Sequence, residues 1–176
     1  MEGCTETTLA SGTETTLHAQ GTAVILKGTI TELYCRDNQL IALNIQGLRA
    51  LQELYCGGNQ LTSLNVQGLN ALRRLSCGLN QLTELNVQGL SALQTLYCWS
   101  NKLNAEAFTK LFNDLPQRVD GDEAKCWLYT EETGVTEGNH TDFSAPADLA
   151  AAFNNAKTVK KWKMYKRNGS WPGVEI

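Results

Sequence analysis

Residues 51–92 read LQELYCGGNQLTSLNVQGLNA followed directly by LRRLSCGLNQLTELNVQGLSA, the same frame twice in 21-residue units. The frame Leu-x-x-Leu-x-Cys-x-x-Asn-x-Leu also starts at Ile30 (ITELYCRDNQLIALNIQGLRA) and at Leu93. The fourth unit, LQTLYCWSNKLNAEAFTKLF, keeps the first half of the frame and abandons the second. Around Leu33, Tyr34 and Cys35 the side chains alternate with period two, the pattern of a strand with one face inward. Leu33, Leu54, Leu75 and Leu96 are therefore expected inside, with Cys35, Cys56, Cys77 and Cys98 two residues later. Asn38, Asn59, Asn80 and Asn101 fall where the chain leaves the strand. An amide there bonds backbone of its own turn and of the next unit, so the four are expected to stack as a ladder.

A unit of this length cannot bury its apolar side alone, and a period of 20 to 29 residues is the signature of a leucine-rich-repeat solenoid. The expected fold class is α/β: a parallel sheet on the concave face, with an extended or 3₁₀ convex side turned at the Gln-Gly-Leu corners. Residues 1–29 read as an N-terminal β cap, with strands suggested at Thr15–Ala19 and Val24–Leu26. Residues 30–103 form the repeats and 104–176 an α/β C-terminal cap. In that cap Asn104 is placed to cap a helix carrying Phe108, Leu111, Phe112 and Leu115, which Pro116 ends. A second helix is expected after Pro146, with Leu149, Ala152, Phe153 and Ala156 inward. Lys125–Tyr129 and Lys161–Tyr165 alternate like strands and are expected to continue the sheet, with Trp162 and Met164 in the core.

The six cysteines suggest disulfides less than packing. Four share one repeat position, where thiols on parallel strands lie side by side and not at bridging geometry. Cys126 is expected to extend the ladder and Cys4 to stand apart. No Cys-x-x-Cys pair or Cys/His cluster of metal-ligand spacing is present. Catalysis has little support: His18 and His140 are the only histidines, neither in a recognisable nucleophile–base setting, and no phosphate-cradling glycine loop is evident. The expected cofactor set is empty. A net charge of −3 and a pI near 5.4 favour no nucleic acid. The basic run Lys157–Arg167 faces an acidic set in 120–142, which reads as a solvated, internally paired surface. Asn139-His140-Thr141 and Asn168-Gly169-Ser170 fit a glycosylation sequon by coincidence.

The repeats at 51–66 and 72–87, with Ala105–Pro116 after the array, resemble the cysteine-containing repeats of internalin-J-like bacterial surface proteins. The resemblance covers about 30–103. It implies a secreted or cell-surface recognition module, non-enzymatic, that binds a protein ligand such as a host extracellular or surface protein. The chain as given carries no signal peptide, transmembrane helix or wall-anchoring tail. The outward strand positions are the candidate binding face: Glu32, Tyr34, Arg36, Glu53, Tyr55, Arg74, Ser76, Thr95, Tyr97, Trp99, Trp127 and Tyr129. Tyr and Trp combine contact area with a polar handle. The tyrosines also read as a packing ladder, whereas Trp99 and Trp127 lie outside the repeat consensus and are expected as a paired exposed face. Glycan binding through the aromatic stripe, or a purely structural role within a larger surface protein, are the alternatives.

Overall fold

The structure, a computed structural model, describes residues 29–176; the expected N-terminal cap strands and Cys4 lie outside the described residues. Each repeat contributes one three-residue strand: β1 Glu32–Tyr34, β2 Glu53–Tyr55, β3 Arg74–Ser76 and β4 Thr95–Tyr97. The strands pair in parallel with zero offset in the repeat frame, so Leu33, Leu54, Leu75 and Leu96 are direct neighbours. Parallel strands this short are held mainly by the leucines beneath them. Leu54, Leu75 and Leu96 are fully buried, as are Cys56, Cys77 and Cys98. The first repeat is looser, with Leu33, Cys35, Leu40 and Leu43 only half-buried.

Beyond the repeats the sheet goes on. Helix α1 (Ala105–Asp114) opens at Asn104, whose side chain accepts a hydrogen bond from the Ala107 amide at 2.9 Å. Strand β5 (Lys125–Thr130) follows, then helix α2 (Ala147–Thr158) and strand β6 (Lys163–Arg167). Both strands join in parallel as the alternation predicts. A two-residue strand β7 (Val174–Glu175) adds to β6 in the antiparallel sense, which no periodic signal announced. The result is one open, mostly parallel sheet of seven strands in chain order, with two helices, α/β in kind.

The two helices pack on each other. Phe108, Phe112, Phe143 and Phe153 form an aromatic cluster between them, with ring centroids 5.0–5.6 Å apart. Trp162 and Met164 are core residues, as expected. The connections opposite the strands are turns and extended chain; no 3₁₀ segment occurs among the described residues. Their corners depend on Gly47, Gly68 and Gly89 at φ +85°, +78° and +81°, a region that glycine enters without steric cost.

The asparagine ladder forms with a shifted membership. Asn80 is representative. Its Oδ1 accepts the Leu61 amide at 3.0 Å, and its Nδ2 donates to the carbonyls of Cys56 at 3.1 Å and Cys77 at 3.0 Å. Asn59 and Asn101 repeat the arrangement. Asn38 does not; it is exposed, and among the described residues its amide group bonds only its own turn. A further rung comes instead from Asn139, which accepts from the Leu103 amide and donates to the carbonyls of Cys98 and Leu128. Its side chain is 6% exposed, so the sequon there is taken up by packing.

Cys126 also departs from expectation. It pairs with Leu96 and so stands in the leucine column, while Leu128 takes the cysteine column. The cap thus reads Cys-x-Leu against the repeats' Leu-x-Cys, exchanging a small and a large side chain between columns of the same core.

Candidate functional site

Alternate residues of the strands that do not enter the core line the opposite face of the sheet. Two rows result from the zero-offset pairing. The first runs Glu32, Glu53, Arg74, Thr95, Lys125, Lys163 and passes from acidic to basic along the sheet. The second runs Tyr34, Tyr55, Ser76, Tyr97, Trp127, Tyr165 and is aromatic at every strand but one.

Parallel strands lie about 4.8 Å apart, close to the spacing of stacked rings, so the second row stacks. Tyr34 and Tyr55 have centroids 4.5 Å apart and planes 12° from parallel. Tyr97 and Trp127 are at 4.4 Å, and Trp127 and Tyr165 at 5.0 Å. Trp171, from the segment after β6, stacks on Trp127 at 5.3 Å and 12° while remaining 72% exposed.

Trp127 itself is not the exposed residue its position suggested. It is 2% exposed, because Tyr97, Tyr165 and Trp171 surround its ring and its Nε1 donates to the Pro172 carbonyl at 2.5 Å. Tyr129 is also buried, near Phe143, after the β5–β6 register shifts between Trp127 and Tyr129. Ser76 is buried too. The remaining candidates, Glu32, Tyr34, Arg36, Glu53, Tyr55, Arg74, Thr95, Tyr97 and Trp99, are exposed or half-buried. Trp171 belongs with them and escaped sequence reading because it follows a non-periodic turn.

Trp99 lies across Gly78, whose absent Cβ would fall 3.0 Å from the indole. The Arg167 guanidinium is 4.8 Å from its ring centre. Arg36 crosses the Tyr55 ring at 4.8 Å and donates to Ser76 Oγ at 2.7 Å. Tyr55 donates to Glu53 at 2.7 Å, and burial with that bond pushes its phenol up to about 12. The tyrosines of this face therefore stay neutral through the physiological range.

The cations of the C-terminal run are separately engaged. Lys160 donates to the carbonyls of Phe112, Asn113 and Leu115 at 2.6–3.1 Å, capping the end of α1. Lys161 faces Asp120 at 3.5 Å, Lys163 faces Glu123 at 2.7 Å, and Lys166 pairs with Glu131. No continuous basic patch results from this run.

The five described cysteines are free thiols. Burial pushes Cys35 up to about 11 and Cys56 up to about 12, and Cys77 well above the ordinary thiol value. Cys98 is raised by its hydrogen bond with the Cys126 thiol and then by burial. No group of three or more His, Cys, Asp or Glu side chains suited to a metal ion occurs among the described residues. Among them, no helix is long and apolar enough to cross a membrane. Neither a protein-family profile nor a curated protein sequence matches this chain.

Proposed function

We propose that this chain is a short leucine-rich-repeat solenoid that recognises a protein ligand through its strand face, as a non-catalytic module of a bacterial secreted or cell-surface protein. The observation that carries this reading is the aromatic row, stacked over two stretches of the sheet and exposed at Tyr34, with the exposed Trp171 stacked against it. Stacking on a rigid sheet fixes these rings before any ligand arrives. Little side-chain entropy is then lost on binding, and that loss otherwise offsets much of an interface's contact energy. The acidic-to-basic first row beside it supplies an orientation for a charged partner.

A catalytic reading finds no support in the thiols. A nucleophilic cysteine needs a depressed pKa and access to solvent, and those of Cys56, Cys77 and Cys98 are buried and raised. Secretion and kinship with internalin-like proteins rest on the repeat motif.

The test uses the variation the repeats already contain. Serine occupies the aromatic position of the third repeat, so Tyr34→Ser/Tyr97→Ser is compatible with the backbone. Proteins captured from extracellular material by the wild type are to be identified, purified and rebound to both forms. We expect about a hundredfold weaker binding by the variant, the loss of two hot-spot side chains. Equal binding by both forms rejects the strand face as the site. Binding of neutral oligosaccharides with the same tyrosine dependence, in place of any protein, turns the reading to glycan recognition.

A further inference from the structure

Resting on the strand face as the recognition surface, we propose that the gap at Ser76 is a pocket for an acidic side chain of the protein ligand. Three of the four repeats place tyrosine at this position; the third places Ser76. Its neighbours Tyr55 and Tyr97 are left two strand spacings apart, about 9.6 Å. Arg36 reaches into the gap and covers Ser76; the space left beside it is a cavity of about 220 Å³ lined by Arg36, Tyr55, Arg74, Tyr97, Trp99 and Trp171. That volume has room for one carboxylate side chain.

The polar groups around the cavity are unbalanced. Two guanidinium groups line it, while the Tyr55 hydroxyl is already donating to Glu53. Arg36 uses one N–H on Ser76, the only hydrogen bond of its side chain among the described residues, and an arginine fork carries several donors and no acceptor. Arg74 Nε and Trp99 Nε1 are buried with no hydrogen-bond acceptor among the described residues. Glu53, the nearby carboxylate, comes only to 4.0 Å from Arg74 Nε. A buried donor without an acceptor costs free energy until one arrives.

The missing component is an anionic acceptor, and the fork of a single guanidinium accommodates a carboxylate through two parallel hydrogen bonds. The pocket interrupts a row that continues as rings on both sides. An occupant attached to a longer chain fills the gap while that chain lies along the row, so the acid is placed on a protein ligand and not on a free ion.

The probe is acetyl-glutamate amide, whose single carboxylate is the side chain, with acetyl-glutamine amide as its neutral match. The readout is the indole N–H resonance of Trp99, assigned through Trp99→Phe. We expect a saturable shift with the glutamate compound and none with the glutamine compound. Arg74→Gln is expected to weaken the response about tenfold, the factor associated with a charge-assisted hydrogen bond. Ser76→Tyr restores the residue of the other repeats and is expected to abolish the response; if it fails to fold, Arg36→Gln takes its place with the same expectation.

An equal response to the glutamine compound overturns the proposal, as does indifference to these substitutions. Inorganic phosphate or methyl glucuronide binding more tightly than the glutamate compound overturns the acidic side chain as occupant. The two readings fail separately. Capture that depends on Tyr34 and Tyr97 but not on Arg74 or Ser76 removes the pocket and keeps the face. Capture indifferent to every variant, with glutamate still bound, keeps the pocket and removes the face.

Discussion

Asn80 does with one side chain what three backbone groups of adjacent repeats cannot do for themselves. The chain turns out of β3 at this point, and the ladder hydrogen bonds of the strand stop. Its amide supplies one acceptor and two donors to the Leu61 N–H and to the Cys56 and Cys77 carbonyls. Removing the amide in Asn80→Ala leaves these buried groups unpaired, at about 1–3 kcal/mol for each unmet group. We expect a total loss of about 3–5 kcal/mol, below the simple sum because the turn relaxes. Asn38→Ala is the internal control, since that side chain is exposed and surface changes stay within about 0.5 kcal/mol. Urea denaturation of both variants checks the contrast. Equal losses at the two positions rule out the ladder as the source of stability.

At the scale of elements, the end of the repeat array poses a defined problem. Within the array the amides of Gly58 and Leu79 donate to the carbonyls of Gly78 and Trp99 in the following unit. Ser100 holds the equivalent place in the last repeat, where no following unit offers a carbonyl. Glu137 takes over. One oxygen accepts the Ser100 amide at 3.0 Å and the Thr130 amide at 2.5 Å, and the other accepts the Asn139 amide at 2.9 Å. One carboxylate thereby ties β4, β5 and the Asn139 rung together. Glu137→Ala is expected to cost about 2–4 kcal/mol, as several N–H groups lose a charged acceptor. It is also expected to speed amide exchange at Ser100 and Asn139 while leaving Leu61 protected. Uniform acceleration across the repeats refutes a local role. None of this was legible in the sequence, where Glu137 is one acid among several. What could be read was what recurs, the strands and the inward leucines, and what carries a local signal, Asn104 as a helix cap and the two alternating strands of the C-terminal cap. Asn139 was opaque because it follows Leu128 by eleven residues, where Asn101 follows Cys98 by three. Trp127 was misplaced because alternation gives the side of a sheet, not what later chain folds over it.

At the scale of the molecule, zero-offset pairing makes the repeat a modular unit, and this can be tested by its arithmetic. Deleting residues 72–92 removes one whole unit of 21 residues and joins Ala71 to Leu93. Leu54 then meets Leu96, Cys56 meets Cys98, and the Leu61 amide meets Asn101 in place of Asn80. Every inward column is preserved. The shortened protein is expected to fold in one cooperative transition with a lower midpoint, because one stabilising interface is lost from a nearest-neighbour stack. Deleting residues 72–91 removes one residue fewer and has a different outcome. A one-residue slip turns every side chain of a strand to the other face, so Leu96 and Cys98 would leave the core while Tyr97 entered it. That variant is expected not to fold. Circular dichroism and thermal melting of the two deletions decide the matter, and similar melting curves for both would refute the modular register. The longer deletion also removes Ser76 and brings Tyr55 beside Tyr97, closing the aromatic row. It is therefore expected to keep the stacked tyrosines and lose the response to acetyl-glutamate amide, separating the sheet that carries the rings from the gap that interrupts them.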